Sequence, residues 1–282
     1  MGVSLRVVYR TPYRTAYDES GGRVRDVTTE YSGTGDPARS LALLWRTREP
    51  ASRRGRTDLT VDRIVRAAVD VADTEGLAAL SMRRVAERLG VGTMSLYTHV
   101  PGKGELLDLM LDTVYGETLA EPDPTDGWRA RLEHLARESW ALYLRHPWLL
   151  QVATTRPPLG PNLIARYERE LRAVDGIGLT DLEMDGVVTL VGGFVHGAVR
   201  GAVEQAQAAE RTGMTEEQWW QAHAPYLEKA MDPRRFPLAA RVGQAAGEEY
   251  QAAADPVRAF EFGLARILDG IEVLVHDRHP AG

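Results

Sequence analysis

From residue 57 onward, apolar residues recur every three or four positions, the spacing of one helix face, and strand-like alternation is nearly absent. Val61, Ile64, Val65, Ala68 and Ala72 define a first stripe that Gly76 ends. Its start is marked by Thr60 as N-cap, by Leu59 and Ile64 at the two positions of a hydrophobic staple, and by Asp62 in the first turn. A second helix repeats the device, with Ser81 as cap, Leu80 and Val85 as staple, and Val85, Ala86 and Leu89 facing inward until Gly90 stops it. After Pro101 a further stripe runs through Leu106, Leu107, Met110, Leu111 and Val114, and "EPDPTDG" at 121–127 then breaks the chain.

Beyond that break the pattern predicts helices at 128–145, a short turn after Pro147, 160–175, 181–209, the segment "TEEQWWQAHAPYLEKAM", and 256–277. The expected fold class is all-α, an N-terminal helix-turn-helix domain followed by a larger helical domain. Residues 57–117 form the first and residues 125–278 the second. Ahead of them, residues 1–40 alternate apolar and polar side chains in places and carry several glycines, which predicts a flexible extension, with a marginal hairpin as the alternative. Residues 41–56 read as a short apolar segment, Leu41–Trp45, and a basic arm holding Arg46, Arg48, Arg53, Arg54 and Arg56.

The charge pattern sharpens this division. Residues 1–56 hold eleven Lys and Arg against six Asp and Glu, and residues 105–282 hold seventeen against twenty-eight. A phosphate-binding surface is therefore expected in the front third, with Arg54 and Arg56 in its arm. The absence of cysteine excludes disulfides, thiolate metal sites and a cysteine nucleophile, and is compatible with the cytoplasm. The N-terminus lacks the apolar core of a signal peptide, and the most apolar run, Val187–Val203, is interrupted by His196 and Arg200, so no membrane insertion is expected.

The segment "SMRRVAERLGVGTMSLYTHVPGK" (81–103) carries the sharpest chemistry. A helix-turn-helix crossing needs a small residue at the contact, here Ala86, and a residue tolerant of positive φ at the first helix end, here Gly90. Val91 buries the turn, and Leu96 and Val100 anchor the second helix. Thr93, Met94, Ser95, Tyr97, Thr98 and His99 are then left to project outward. Hydroxyls and imidazole suit phosphates and base edges, and Met94 suits a thymine methyl. Which of them reads bases and which grips phosphate is open at this level. Each also has an ordinary packing role available, Tyr97 as a cap on the small core for example.

Residues 60–117 resemble the DNA-binding domain of the TetR family of transcriptional regulators, in which "RRVAERLGVGTMSLYTHVPGKGELL" matches the hallmark stretch. The resemblance implies that Arg83, Thr93, Met94, Ser95, Tyr97, Thr98, His99 and Lys103 form a DNA face, with Lys103 beside the phosphate backbone. Residues 125–277 are similar to the effector domain of the tetracycline-repressor subgroup. This implies a homodimer closed by a four-helix bundle, a double-stranded DNA operator as partner, and a small-molecule effector.

Within that body Gly193, Gly197 and Gly201 at four-residue spacing, and Gly263 and Gly270, would let helices approach closely, inside one chain or across a symmetry axis. Trp128, Trp140, Trp148, Arg156, Phe194, His196, Trp219 and Trp220 are the candidate lining of an effector pocket, since aromatics with a few polar groups are usual there. Most tryptophans in helical domains are simply core. "TTRP" at 154–157 resembles the corresponding tetracycline-repressor segment, but that subgroup's metal-binding histidine falls at Val152 and its drug-contacting asparagine near Leu135. An apolar or aromatic effector is therefore expected, with no metal and no cofactor. No spacing among the histidines and carboxylates forms an enzyme motif, so catalysis is not expected. The expected function is a ligand-responsive regulator, a repressor released from a palindromic operator; the alternative is a helical small-molecule-binding protein that no longer binds DNA.

Overall fold

A helix cannot bury its stripe alone, and the chain answers with two helical layers around a continuous core. The structure is a computed structural model that describes residues 30–33, 36–47, 59–119, 124–153 and 156–278. The chain enters through β1 (Glu30–Tyr31) and α1 (Pro37–Leu44). Asp36 caps α1, its carboxylate accepting the Arg39 N–H at 2.9 Å, and Pro37 occupies the first turn, where its missing N–H costs nothing. The extension expected through residue 40 is thus structured from Glu30 at the described positions, and the apolar segment begins at 37, because Asp36-Pro37 is a helix start. The earlier part of the extension and the arm residues Arg48, Arg53, Arg54 and Arg56 lie outside the described residues.

The head follows as α2 (Val61–Glu75), a 3₁₀ turn (Leu77–Ala79), α3 (Met82–Leu89), α4 (Thr93–Tyr97) and α5 (Lys103–Tyr115). Both caps operate: Thr60 Oγ1 accepts the Arg63 N–H at 3.2 Å and Ser81 Oγ the Arg84 N–H at 3.1 Å. Both staple pairs, Leu59 with Ile64 and Leu80 with Val85, are buried. Gly90 ends α3 at φ 67°, ψ 31°, the left-handed region, and its N–H and that of Val91 close the last turn of α3. Leu106, Leu107, Met110, Leu111 and Val114 of α5 are fully buried, as their spacing predicts.

The body comprises a 3₁₀ turn (Gly116–Leu119), α6 (Gly127–Arg145), a second (Pro147–Gln151), β2 (Val152–Ala153), α7 (Pro161–Val174), α8 (Asp181–Thr212), α9 (Glu216–Ala230), α10 (Pro237–Tyr250) and α11 (Pro256–Arg278). β1 and β2 pair in parallel, Glu30 opposite Val152 and Tyr31 opposite Ala153. This two-residue ladder is the sheet that the described residues contain, and the chain is otherwise helical. The 32-residue α8 is the spine, started by a Thr180–Glu183 capping box. The Thr180 N–H and hydroxyl hold the Glu183 carboxylate down to about 2, and Arg278 of α11 pairs with it. By length and composition α8 could cross a bilayer, yet it packs between α6 and α11. Val187, Val191, Val195, Val199 and Val203 are buried along its length, facing Phe260, Leu264, Leu268 and Ile271 of α11.

Of the two uses expected for the glycines of α8, approach within the chain is seen at Gly201, which lies near Pro256, while Gly193 and Gly197 face open space among the described residues. Gly263 serves it too, since a Cβ there would lie 2.5 Å from the Phe194 ring, whereas Gly270 is open. The pattern also missed α10, whose fourteen residues bury only Gly247.

Candidate DNA-binding and effector sites

Helix α4 is five residues long, too short to hold itself by hydrogen bonding alone. Leu96, fully buried, anchors it, with Val100 beyond it also buried. A side chain so buried contributes about 1.5–3 kcal/mol. Met94 is 76% exposed and Tyr97 44%, large apolar surfaces left uncovered by the described residues. Ser95 and Thr98 are exposed, and Thr93 and His99 half-buried. The Thr98 hydroxyl donates to the Ser95 carbonyl at 2.6 Å, which completes the last turn.

The flanking charges divide into structural and available. Arg84 donates to Glu75 from Nε, to Oε2 at 2.8 Å and Oε1 at 3.1 Å, and from Nη2 to Oε1 at 2.7 Å, and so ties α3 to the end of α2. Its hydrogen bond holds the Glu75 carboxyl below its ordinary value. Arg83, more exposed, bridges to Glu87 one turn on, at 2.9 Å. Lys103 begins α5 directly after the uncapped Gly102, and its ammonium lies 2.6 Å from Glu30 Oε1. Arg54 and Arg56 lie outside the described residues.

The aromatic candidates fall into separate groups. Trp140 and Phe194 meet on Phe260, with ring centroids 4.4 and 6.0 Å away. His196 stands edge-on to Tyr143 at 5.5 Å, and burial, then Arg200, lower its pKa. Trp128 is half-buried against the core. Trp148 is a head–body contact: it is buried and donates from Nε1 to Asp73 Oδ1 of α2 at 2.7 Å. His146 Nδ1 lies 2.8 Å from the same oxygen, and its Nε2 3.3 Å from Glu117. Arg156 is exposed, and its carbonyl accepts from Ser32. Trp219 stacks on His223 at 4.1 Å, and Trp220 lies against Gly247, both on α9, which buries no residue.

A polar group that the sequence reading missed lies inside the body. Arg166 of α7 donates from Nε to Glu170 at 2.9 Å and from Nη2 to Ser139 of α6 at 2.8 Å. Its guanidinium sits 5.0 Å over the Tyr115 ring, and its buried Nη1 has no partner among the described residues. A void of about 20 Å³ lies between α6 and α8, with Ser139 and Glu170 in its wall and Leu135, Val191 and Val195 closing it. Burial pushes the neighbouring Tyr143 hydroxyl well above its ordinary range. Among the described residues no group of three or more His, Asp or Glu is arranged to hold a metal ion.

Comparison with known proteins agrees with this arrangement. Residues 49–110 match the family described as bacterial regulatory proteins, tetR family, and residues 121–275 match the tetracyclin repressor-like C-terminal domain. The chain is 49% identical to the HTH-type transcriptional repressor DrrR1 of Streptomyces coeruleorubidus over 92% of its own length and 94% of that protein's. It is 31% identical to the Escherichia coli tetracycline repressor protein class A from transposon 1721, over 76% and 91% of the two lengths. The crystal structure of the Streptomyces coelicolor TetR family protein ActR in complex with actinorhodin superposes with a TM-score of 0.65, at 32% identity, covering 80% of this chain and all of that one. A short recognition helix held by one buried leucine, a helical body behind it and matches across both halves lead to one conclusion: the chain belongs to the TetR family of DNA-binding transcriptional regulators.

Proposed function

We propose that this protein is a homodimeric repressor that occupies a palindromic operator in the cytoplasm and is released by an aromatic small molecule. The observation that carries the reading is α4, which spends only Leu96 on the core and leaves Met94, Ser95, Tyr97 and Thr98 for a DNA groove. Lys103 and the N–H groups at the start of α5 suit a phosphate beside it. One such helix reads few bases, and a two-fold partner doubles the contact. The apolar residues left outward on α8 and α11, Leu190 at 51% and Phe262 at 66% exposure, with the open glycines beside them, support a bundle shared by two protomers. The unpartnered Nη1 of Arg166 and the aromatic group around Phe260 support an effector that pairs a ring system with an acceptor oxygen. The actinorhodin complex of ActR supports the same class.

In the mechanism proposed, the unliganded dimer holds its recognition helices one DNA turn apart, ~34–36 Å. An effector that binds better to a splayed body shifts that spacing, and the Asp73–His146–Trp148 contact carries the movement into α2. Titration of DNA from beside the protein's own reading frame tests the reading. Nanomolar binding that weakens steeply with salt is expected, reduced at least tenfold in Tyr97→Ala and in Lys103→Ala, and reversed by actinorhodin as the first probe. Binding that ignores salt and both substitutions would overturn it.

A further inference from the structure

Residues 30–33 and 36–47 lie across the joint between head and body. Beyond the β1–β2 ladder, the Ser32 N–H donates to the Ala153 carbonyl at 3.3 Å and its hydroxyl to the Arg156 carbonyl at 2.8 Å. One residue on, the Gly33 N–H donates to Asp108 Oδ1 of α5 at 3.0 Å. Helix α1 packs on α5, and the Trp45 indole donates to the Leu159 carbonyl at 2.8 Å. Arg46 pairs with Asp62 at the start of α2. The segment is therefore fastened to the body loop on one side and to two helices of the head on the other.

Glu30 lies in β1 of this strap, with its carboxylate 2.6 Å from the Lys103 ammonium and both side chains about one-third exposed. Lys103 is the cation at the start of α5 for which a DNA phosphate would be the partner, and the present inference rests on that reading. A carboxylate and a phosphate oxygen compete for one ammonium, and a carboxylate left beside an arriving phosphate repels it. The pairing of β1 with β2 fixes where Glu30 sits, so β2 sets how firmly Lys103 is occupied.

We propose that Glu30 is an intramolecular competitor of the DNA backbone for Lys103, held in place by the strap's attachment to the body loop. DNA binding must then exchange the carboxylate for a phosphate, and movement of the loop alters the ease of that exchange.

The experiment measures the affinity of the full chain for the same DNA across a salt series in Glu30→Gln, Lys103→Met, the double variant, and Ser32→Pro, which removes the N–H that reaches Ala153. Glu30→Gln is expected to bind roughly two- to tenfold more tightly, from loss of an exposed ion pair and of the repulsion. Its salt dependence should steepen by up to about one counterion. The gain should vanish when Lys103→Met is present, and Ser32→Pro should reproduce it without adding to it. Unchanged or weaker binding by Glu30→Gln, with Lys103→Met impaired, would overturn the competition and leave Lys103 as a phosphate contact. Gain from Glu30→Gln that persists in Lys103→Met would overturn it too, since the carboxylate would then act on the DNA at large. A Ser32→Pro effect that is absent, or that adds fully to Glu30→Gln, would overturn the part assigned to the loop. Intact binding by Lys103→Met would remove the phosphate-contact reading and the inference together. Thermal melts of each variant separate loss of fold from loss of affinity.

Discussion

At the scale of single residues, the protein uses burial to set chemistry. His196 is half-buried beside Tyr143, and desolvation followed by the charge of Arg200 lowers its pKa below 6.5. The unfolded chain then takes up the proton first as pH falls. The stability that neutral His196 contributes is complete above about pH 6.5 and is lost as pH drops through its lowered value. Melting temperatures of the native chain and of His196→Gln, followed from pH 8 to 5, are expected to converge or cross as acid is added. A constant difference would remove His196 as the source. The position of this histidine on an apolar stripe was visible in the sequence, but its partner was not, because Tyr143 lies 53 residues away on another helix. The Arg166 group escaped notice for the same reason: its members come from α5, α6 and α7, and no local spacing records that they meet. The outward exposure of α4 was legible because Ala86, Gly90, Val91, Leu96 and Val100 specify their crossing within fifteen residues.

At the scale of elements, start and stop signals predicted the head closely. Thr60, Ser81 and Gly90 perform the capping expected of them, since each acts on backbone two to four positions away. Helix α1 was read only as an apolar segment from Leu41, because Pro37 looks like a breaker until the helix it begins is known. Helix α10 was overlooked because Leu238 and Val242 remain exposed and form no buried stripe. The brevity of α4 has a measurable outcome. Leu96→Ala should cost about 2–5 kcal/mol in urea unfolding of the head and abolish DNA binding, although Leu96 is fully buried and presents no surface to DNA. Retained operator binding in a folded Leu96→Ala protein would show that α4 has another support.

At the scale of the whole molecule, the outward apolar residues of α8 and α11 would form the two-fold interface of the proposed dimer. Leu190→Glu and Phe262→Glu should convert the dimer to monomer in sedimentation velocity and weaken operator binding by about a hundredfold or more, since each protomer then binds its half-site alone. Sedimentation as an unchanged dimer would place the two-fold interface elsewhere. The charge division read from sequence also takes shape here, with the balanced head in front and the acidic body behind it.

The indole of Trp148 has a practical meaning beyond its hydrogen bond. It is buried, it belongs to the body, and its N–H ends on a carboxylate of the head. Few changes shift tryptophan emission as much as losing an adjacent negative charge and gaining water. With the other five tryptophans replaced by phenylalanine, Trp148 becomes an intrinsic optical gauge of head–body separation, whose response to DNA or a small molecule can be followed in real time without a label.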